Sequence, residues 1–203
     1  MSLDERSRPS PQTESFPLEH LSPNPGDRRG SSVLAREARG WARDILFAAL
    51  TAILIVVFVI QPVKVEGTSM QPNLSDQERI FVNKFVYHFS EIERGDVVVF
   101  WFPKDPTKSF IKRVIGLPGE RIEIRSGAVF IDDHRLRETY VRPEYFDYHS
   151  WGPVAVPAAH YFVMGDHRNS SNDSRHWGFV PSANIFGKAI FRYWPVSKLG
   201  IVD

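Results

Sequence analysis

Three segments of the sequence hold residue types that chemistry could use. In "VEGTSMQPNL", Val65 to Leu74, Ser69 lies two residues after Gly67 and is followed closely by Pro72. The glycine permits a tight backbone and the proline stops a regular strand, so the Ser69 hydroxyl either faces a cleft or is an ordinary turn serine. A serine nucleophile needs a base. The histidines are His20, His88, His134, His149, His160, His167 and His176, and none sits in a serine-protease signature. The alternative is a lysine whose pKa burial lowers, because a buried ammonium loses solvation. In "SFIKRVI" (Ser109–Ile115), Lys112 alternates with Phe110 and Val114 on one strand face, while Arg113 shares the other with Ile111 and Ile115. Such a lysine either snorkels at a sheet edge or is held out of water. The third segment, "MGDHRNSSNDSRHWG" (Met164–Gly178), follows the apolar "HYFVM". It reads either as solvated surface or as a buried hydrogen-bond network, with Asp173 and Arg175 as a charge-compensated pair.

The elements that must position these residues fall into three regions. Residues 1–30 contain Pro9, Pro11, Pro17, Pro23 and Pro25 and no hydrophobic period. They bury too little apolar surface to offset the entropy of ordering, which predicts a disordered tail over about residues 1–40. From Ile45 to Val63 no residue is charged. As a helix this run is about 28 Å long at roughly 1.5 Å per residue, which predicts a transmembrane anchor over 41–63. Arg28, Arg29, Arg36, Arg39 and Arg43 precede it, so the positive-inside rule places the N-terminus in the cytoplasm and residues 64–203 outside it. "QPVKVEG" offers no small-x-small cleavage site of a removed signal peptide, and Pro62 is expected to end the helix.

The remainder is expected to be mainly β, with antiparallel sheets forming one domain. "DVVVFWF" (Asp96–Phe102) and "SFIKRVI" are short branched and aromatic runs. "RIEIRSGAVFIDDHRL" alternates around Ser126-Gly127 and again around Asp132-Asp133, as consecutive hairpins do. "GLPGE" (Gly116–Glu120) has the Pro-Gly order of a type II turn. The formal net charge of +1 offers no basic excess for nucleic acid. Cysteine is absent, which excludes disulfides, thiolate metal sites and a cysteine nucleophile. No histidine and carboxylate spacing suggests a metal, and no cofactor is expected. Asp132-Asp133 reads as a turn rather than as paired catalytic carboxylates. Trp151, Trp177 and Trp194 read as core or membrane-facing aromatics.

Taken together, the segments resemble type I signal peptidases, the bacterial leader peptidases. Five elements occur in the family's order: the hydrophobic run, "GTSMQPNL", "RGDVVVF" (Arg94–Phe100), "FIKRVIGLPGE" (Phe110–Glu120) and "MGDHRNSSNDSRHWGFVP" (Met164–Pro181). The resemblance covers about residue 45 to the C-terminus. It implies a membrane-bound serine endopeptidase that removes signal peptides from preproteins emerging from the export translocon, with Ser69 as nucleophile and Lys112 as base. It further implies that Ser171 orients the lysine ammonium and that Asp173 and Arg175 shape the surrounding loop. Met70, Leu74 and Ile111 match positions lining pockets for small residues at −1 and −3 of the substrate. Gly67 stands where the best-known Gram-negative pattern has an oxyanion-hole serine, leaving the Ser69 N–H as a donor; glycine is also found there in Gram-positive members. Three other readings compete. One is a Ser69–His167–Asp173 triad, another is a self-cleaving repressor with a related Ser/Lys site, and the last is a tethered β module that binds exported chains.

Overall fold

The structure, a computed structural model, describes residues 27–202, with side chains for residues 37–54, 56 and 58–202. Residues 1–26 of the tail expected over 1–40 lie outside the described residues. Two units are separable, residues 1–48 and 49–203. Within the described residues, 27–48 of the first unit are helical, as part of α1 (Asp27–Val59). The helix thus begins inside the stretch read as disordered tail and stops four residues short of Val63. The cause of the early stop is local. Pro62 disfavours helix at the residue before it, and Ile60–Lys64 instead become strand β1, paired along its whole length with β2 (Arg79–Asn83). The uncharged part of the helix is therefore about 15 residues, roughly 22 Å, against about 30 Å of hydrocarbon. Among the described residues no helix is long and apolar enough to cross a membrane.

The second unit is mainly antiparallel β-sheet, as expected. Its further strands are β3 (Val97–Trp101), β4 (Ser109–Gly116), β5 (Arg121–Arg125), β6 (Ala128–Ile131), β7 (His134–Arg135), β8 (Trp151–Ala155), β9 (His160–Met164), β10 (Val180–Pro181), β11 (Ile185–Trp194) and β12 (Gly200–Ile201). Among the described residues, one sheet runs β1-β2-β11-β3-β4-β9-β10, with β12 beside β11. A second runs β7-β6-β5-β8. The hairpin turns match the sequence reading. Ser126 and Gly127, and again Asp132 and Asp133, take the positive φ pairs of type I′ turns. Gly119 takes φ 87°, closing the Pro118-Gly119 turn through Glu120 N–H to the Leu117 carbonyl. The core lies in three clusters around the larger sheet and between the two. Ile115, Ile122, Phe162 and Met164 form one, and Val98, Phe100, Val114 and Val163 another. Trp177 packs on Phe100 and Phe102 and Trp151 on Phe162, whereas Trp194 is exposed.

Two features of this topology prepare the site. Strand β4 is interior to the larger sheet, and from Lys112 to Gly116 its residues are buried. In addition, β9 ends at Met164, opposite Arg113. From Lys112 back to Ser109, β4 therefore pairs with β3 on one edge and, among the described residues, with no strand on the other.

Candidate active site

Ser69 sits in the loop that joins β1 to β2. The loop is braced at its base by Val65 N–H to the Glu78 carbonyl at 2.8 Å and Gln77 N–H to the Val65 carbonyl at 2.9 Å. Higher up, Gly67, at φ 92°, donates its N–H to Asp76 Oδ1 at 2.8 Å, a bond that holds the Asp76 carboxyl below its usual range. Beyond Ser69 the chain closes a hydrogen-bonded turn, with Leu74 N–H bonded to the Met70 carbonyl at 2.8 Å. Met70 and Leu74, at its two ends, are both fully buried beside Val65, Ile80 and Val99. They anchor the loop from below, so of the three residues expected to line substrate pockets only Ile111 is partly open.

Lys112 meets this loop at the open edge of β4. Its Nζ lies 2.7 Å from Ser69 Oγ in a hydrogen bond and donates to the Ile111 carbonyl at 3.0 Å. The side chain is 5% exposed, which resolves the choice between snorkelling and desolvation. Burial pushes the amine down from 10.5 to about 8, partly opposed by the charges of Asp173 and Asp166. A lysine in this state is about one-tenth neutral at pH 7, against roughly 0.03% for an ordinary one. A neutral amine carries one lone pair and two N–H groups. With one N–H on the Ile111 carbonyl, the lone pair can accept the Ser69 hydroxyl proton.

The segment after β9 closes the site from the other side. Gly165 is in close contact with the serine loop: a Cβ there would fall 2.4 Å from the Ser69 carbonyl oxygen and 2.3 Å from Ser171 Oγ. Asp173 and Arg175 form the expected pair, with Nε to Oδ1 at 2.8 Å and Nη2 to Oδ2 at 2.9 Å. Asp173 also accepts the Gly165 N–H at 3.0 Å and caps α2 (Ser174–Trp177), so one buried carboxylate fixes both ends of the segment. Ser171 departs from the expected arrangement. Its hydroxyl is buried without a hydrogen-bond partner, and Lys112 Nζ is held instead by Ser69 and by the carbonyl that the end of β9 leaves open.

Sequence reasoning missed a second layer. Arg113, on the strand face opposite Lys112, makes a bidentate pair with Asp166 at 2.8 Å for both bonds and donates to the Gly95 carbonyl at 2.8 Å. Asn73 Nδ2 donates to Asp166 Oδ2 at 2.8 Å, tying the serine loop to the same carboxylate. Tyr140 stacks on the guanidinium at 4.2 Å. The available signal was a charge at Arg113 between Ile111 and Ile115 on a buried face, since such a charge requires a partner. The triad alternative is not formed. The ring Nδ1 of His167 faces the Thr68 carbonyl at 3.1 Å, and the Asp173 carboxylate is engaged by Arg175 and Gly165.

Fold and site together define a class, a serine hydrolase built on antiparallel sheet. Comparison with known proteins narrows it. The family described as signal peptidase, peptidase S26, matches residues 38–194. Signal peptidase I of Leptolyngbya laminosa is 41% identical over 168 residues, 78% of this chain and 80% of its own. Probable signal peptidase I-1 of Synechocystis sp. is 41% identical over 165 residues, covering 77% and 82%. Signal peptidase I S of Bacillus subtilis strain 168 is 36% identical over 169 residues, covering 78% and 90%. The chain belongs to the peptidase S26 signal peptidase family and is a serine endopeptidase.

Proposed function

We propose that this enzyme removes signal peptides from exported preproteins at a membrane surface, through a Ser69/Lys112 dyad and an acyl-enzyme. The observation that carries the proposal is the 2.7 Å bond between the Ser69 hydroxyl and an amine that burial brings to about 8. Neutral Lys112 takes the hydroxyl proton as Ser69 Oγ attacks the scissile carbonyl. The oxyanion is met by the Ser69 N–H. The tetrahedral species collapses to an ester, and the Lys112 ammonium gives its proton to the departing amine. Lys112 then takes a proton from water as it attacks the ester, and returns that proton to Ser69 Oγ as the carboxylic acid product departs. The buried, unpartnered hydroxyl of Ser171 beside Gly165 supports a role for it as an acceptor for the ammonium once that forms. Asp173 and Arg175 hold the segment that carries it.

The open edge of β4 at residues 109–112 supports binding of the substrate as an added strand, which would present alternate side chains to Ile111 above the Met70–Leu74 floor. Shallow pockets of this kind select small residues at −1 and −3. Membrane attachment is supported by the exposed Leu50, Ile53, Leu54 and Phe58 of α1, an apolar surface that lipid would cover. The arginine flank supports a cytoplasmic N-terminus and an extracytoplasmic catalytic domain. The shortness of the uncharged helix calls for local thinning of the bilayer or for snorkelling by Arg43, which pairs with Asp44 at 3.0 Å. The test is incubation of the purified chain, its Ser69→Ala variant and its Lys112→Met variant with a secretory precursor, followed by N-terminal sequencing. One new N-terminus after an Ala-like residue, absent with both variants, is expected. Undiminished cleavage by either variant would reject the dyad.

A further inference from the structure

The two peptide groups that flank Ser69 are both held by one residue. His167 donates its backbone N–H to the Ser69 carbonyl at 3.0 Å, and its ring Nδ1 meets the Thr68 carbonyl at 3.1 Å. A carbonyl oxygen only accepts, so Nδ1 carries the proton in this contact. The consequence follows from peptide planarity. In a trans peptide the Thr68 C=O and the Ser69 N–H lie in one plane and point in opposite directions. Fixing the carbonyl therefore fixes the direction of the Ser69 N–H, the donor assigned above to the oxyanion. The second bond fixes the next plane, that of the Ser69 C=O and the Met70 N–H. The imidazole is in turn held in place by Tyr145, whose ring meets it edge-on at 4.3 Å between centroids. Asn169 secures the Tyr145 segment by donating to the Glu144 carbonyl at 3.3 Å. Gln71 N–H also reaches the Thr68 carbonyl, at 3.0 Å, so the His167 ring shares this task.

We propose that His167 is a positioning residue for the nucleophile loop. Its Nδ1–H sets the Thr68–Ser69 peptide plane so that the Ser69 N–H faces the developing oxyanion. The inference rests on the reading of Ser69 as nucleophile and goes beyond it, because it gives a histidine outside the dyad a role that needs no proton transfer.

Three substitutions separate the hydrogen bond from the packing. In His167→Asn the side-chain Nδ2 occupies the place of Nδ1, so the donor is kept. His167→Gln moves the amide one bond further out, and His167→Phe keeps a ring against Tyr145 without a donor. Each full-length variant is assayed for kcat and KM on a peptide with Ala at −1 and −3, alongside its melting temperature and a Ser69→Ala control. His167→Asn is expected to stay within about threefold of the parent. The Gln and Phe variants are expected to lose at least about tenfold in kcat with KM within about twofold, since a misaimed oxyanion donor is felt only in the transition state. Parent-like kcat in His167→Phe, or equal losses in all three that follow their melting temperatures, would overturn the proposal and leave the dyad intact. An active Ser69→Ala control would instead remove the reading on which it rests.

Discussion

Replacing Lys112 with methionine tests whether the amine is held out of water, and it does so without any catalytic assay. A fall in pKa from 10.5 to about 8 corresponds to about 3 kcal/mol, at roughly 1.4 kcal/mol per tenfold. Folded chains release this proton near pH 8 and unfolded chains near 10.5. Between those values the unfolded state holds the extra proton, so this group adds to stability as pH rises through the window; below pH 8 its full cost is present. Methionine has similar length and nothing to titrate. The variant loses the bonds to Ser69 and to the Ile111 carbonyl, but that loss is nearly constant with pH and drops out when differences are compared. The stability of the parent relative to Lys112→Met should rise by about 2.5 kcal/mol between pH 7 and pH 10. With a urea slope of roughly 2 kcal/mol per molar, the gap in unfolding midpoints moves by about 1 M, readable by tryptophan fluorescence. A gap that stays constant over this range would mean that the amine keeps its ordinary pKa, and the argument for Lys112 as a base would fail.

The same ionisation should govern turnover. We expect kcat/KM to rise with pH through about 8, to stand near one-tenth of its plateau at pH 7, and to follow one ascending ionisation; a limb near 6.5 would point to a histidine. Gly165→Ala forces a methyl to within 2.4 Å of the Ser69 carbonyl oxygen, so at least about a hundredfold loss of kcat is expected together with a lower melting temperature, and parent-like activity would refute the close approach. Asp166→Asn leaves Arg113, 2% exposed, without its carboxylate. It should destabilise the fold by about 3–5 kcal/mol in urea titration, and a change under about 1 kcal/mol would show the pair to be dispensable.

Local pattern was enough to locate the hairpins, because turn chemistry at Ser126-Gly127, Asp132-Asp133 and Pro118-Gly119 acts within a few residues. It raised Ser69 and Lys112 as candidates but left an ordinary turn serine and a snorkelling lysine open; the resemblance of five ordered segments to one family is what singled them out. What local pattern did not contain were consequences of strand order. Whether Lys112 is buried depends on β4 lying between β3 and β9, and the partner of its second N–H depends on where β9 stops. The Arg113–Asp166–Asn73 connection joins residues from three distant segments, so no periodicity reveals it. The helix end was misplaced because a continuous uncharged run hides the point where backbone hydrogen bonding passes from a helix to the β1–β2 ladder.

The dyad is tested most directly by catching the ester. The purified chain is mixed with a peptide bearing Ala at −1, quenched in acid during turnover and examined by peptide-resolved mass spectrometry. An acyl adduct is expected on the fragment containing Ser69, and none on that fragment in Lys112→Met. An adduct on any other residue, or undiminished acylation without the amine, would contradict the chemistry proposed for this site.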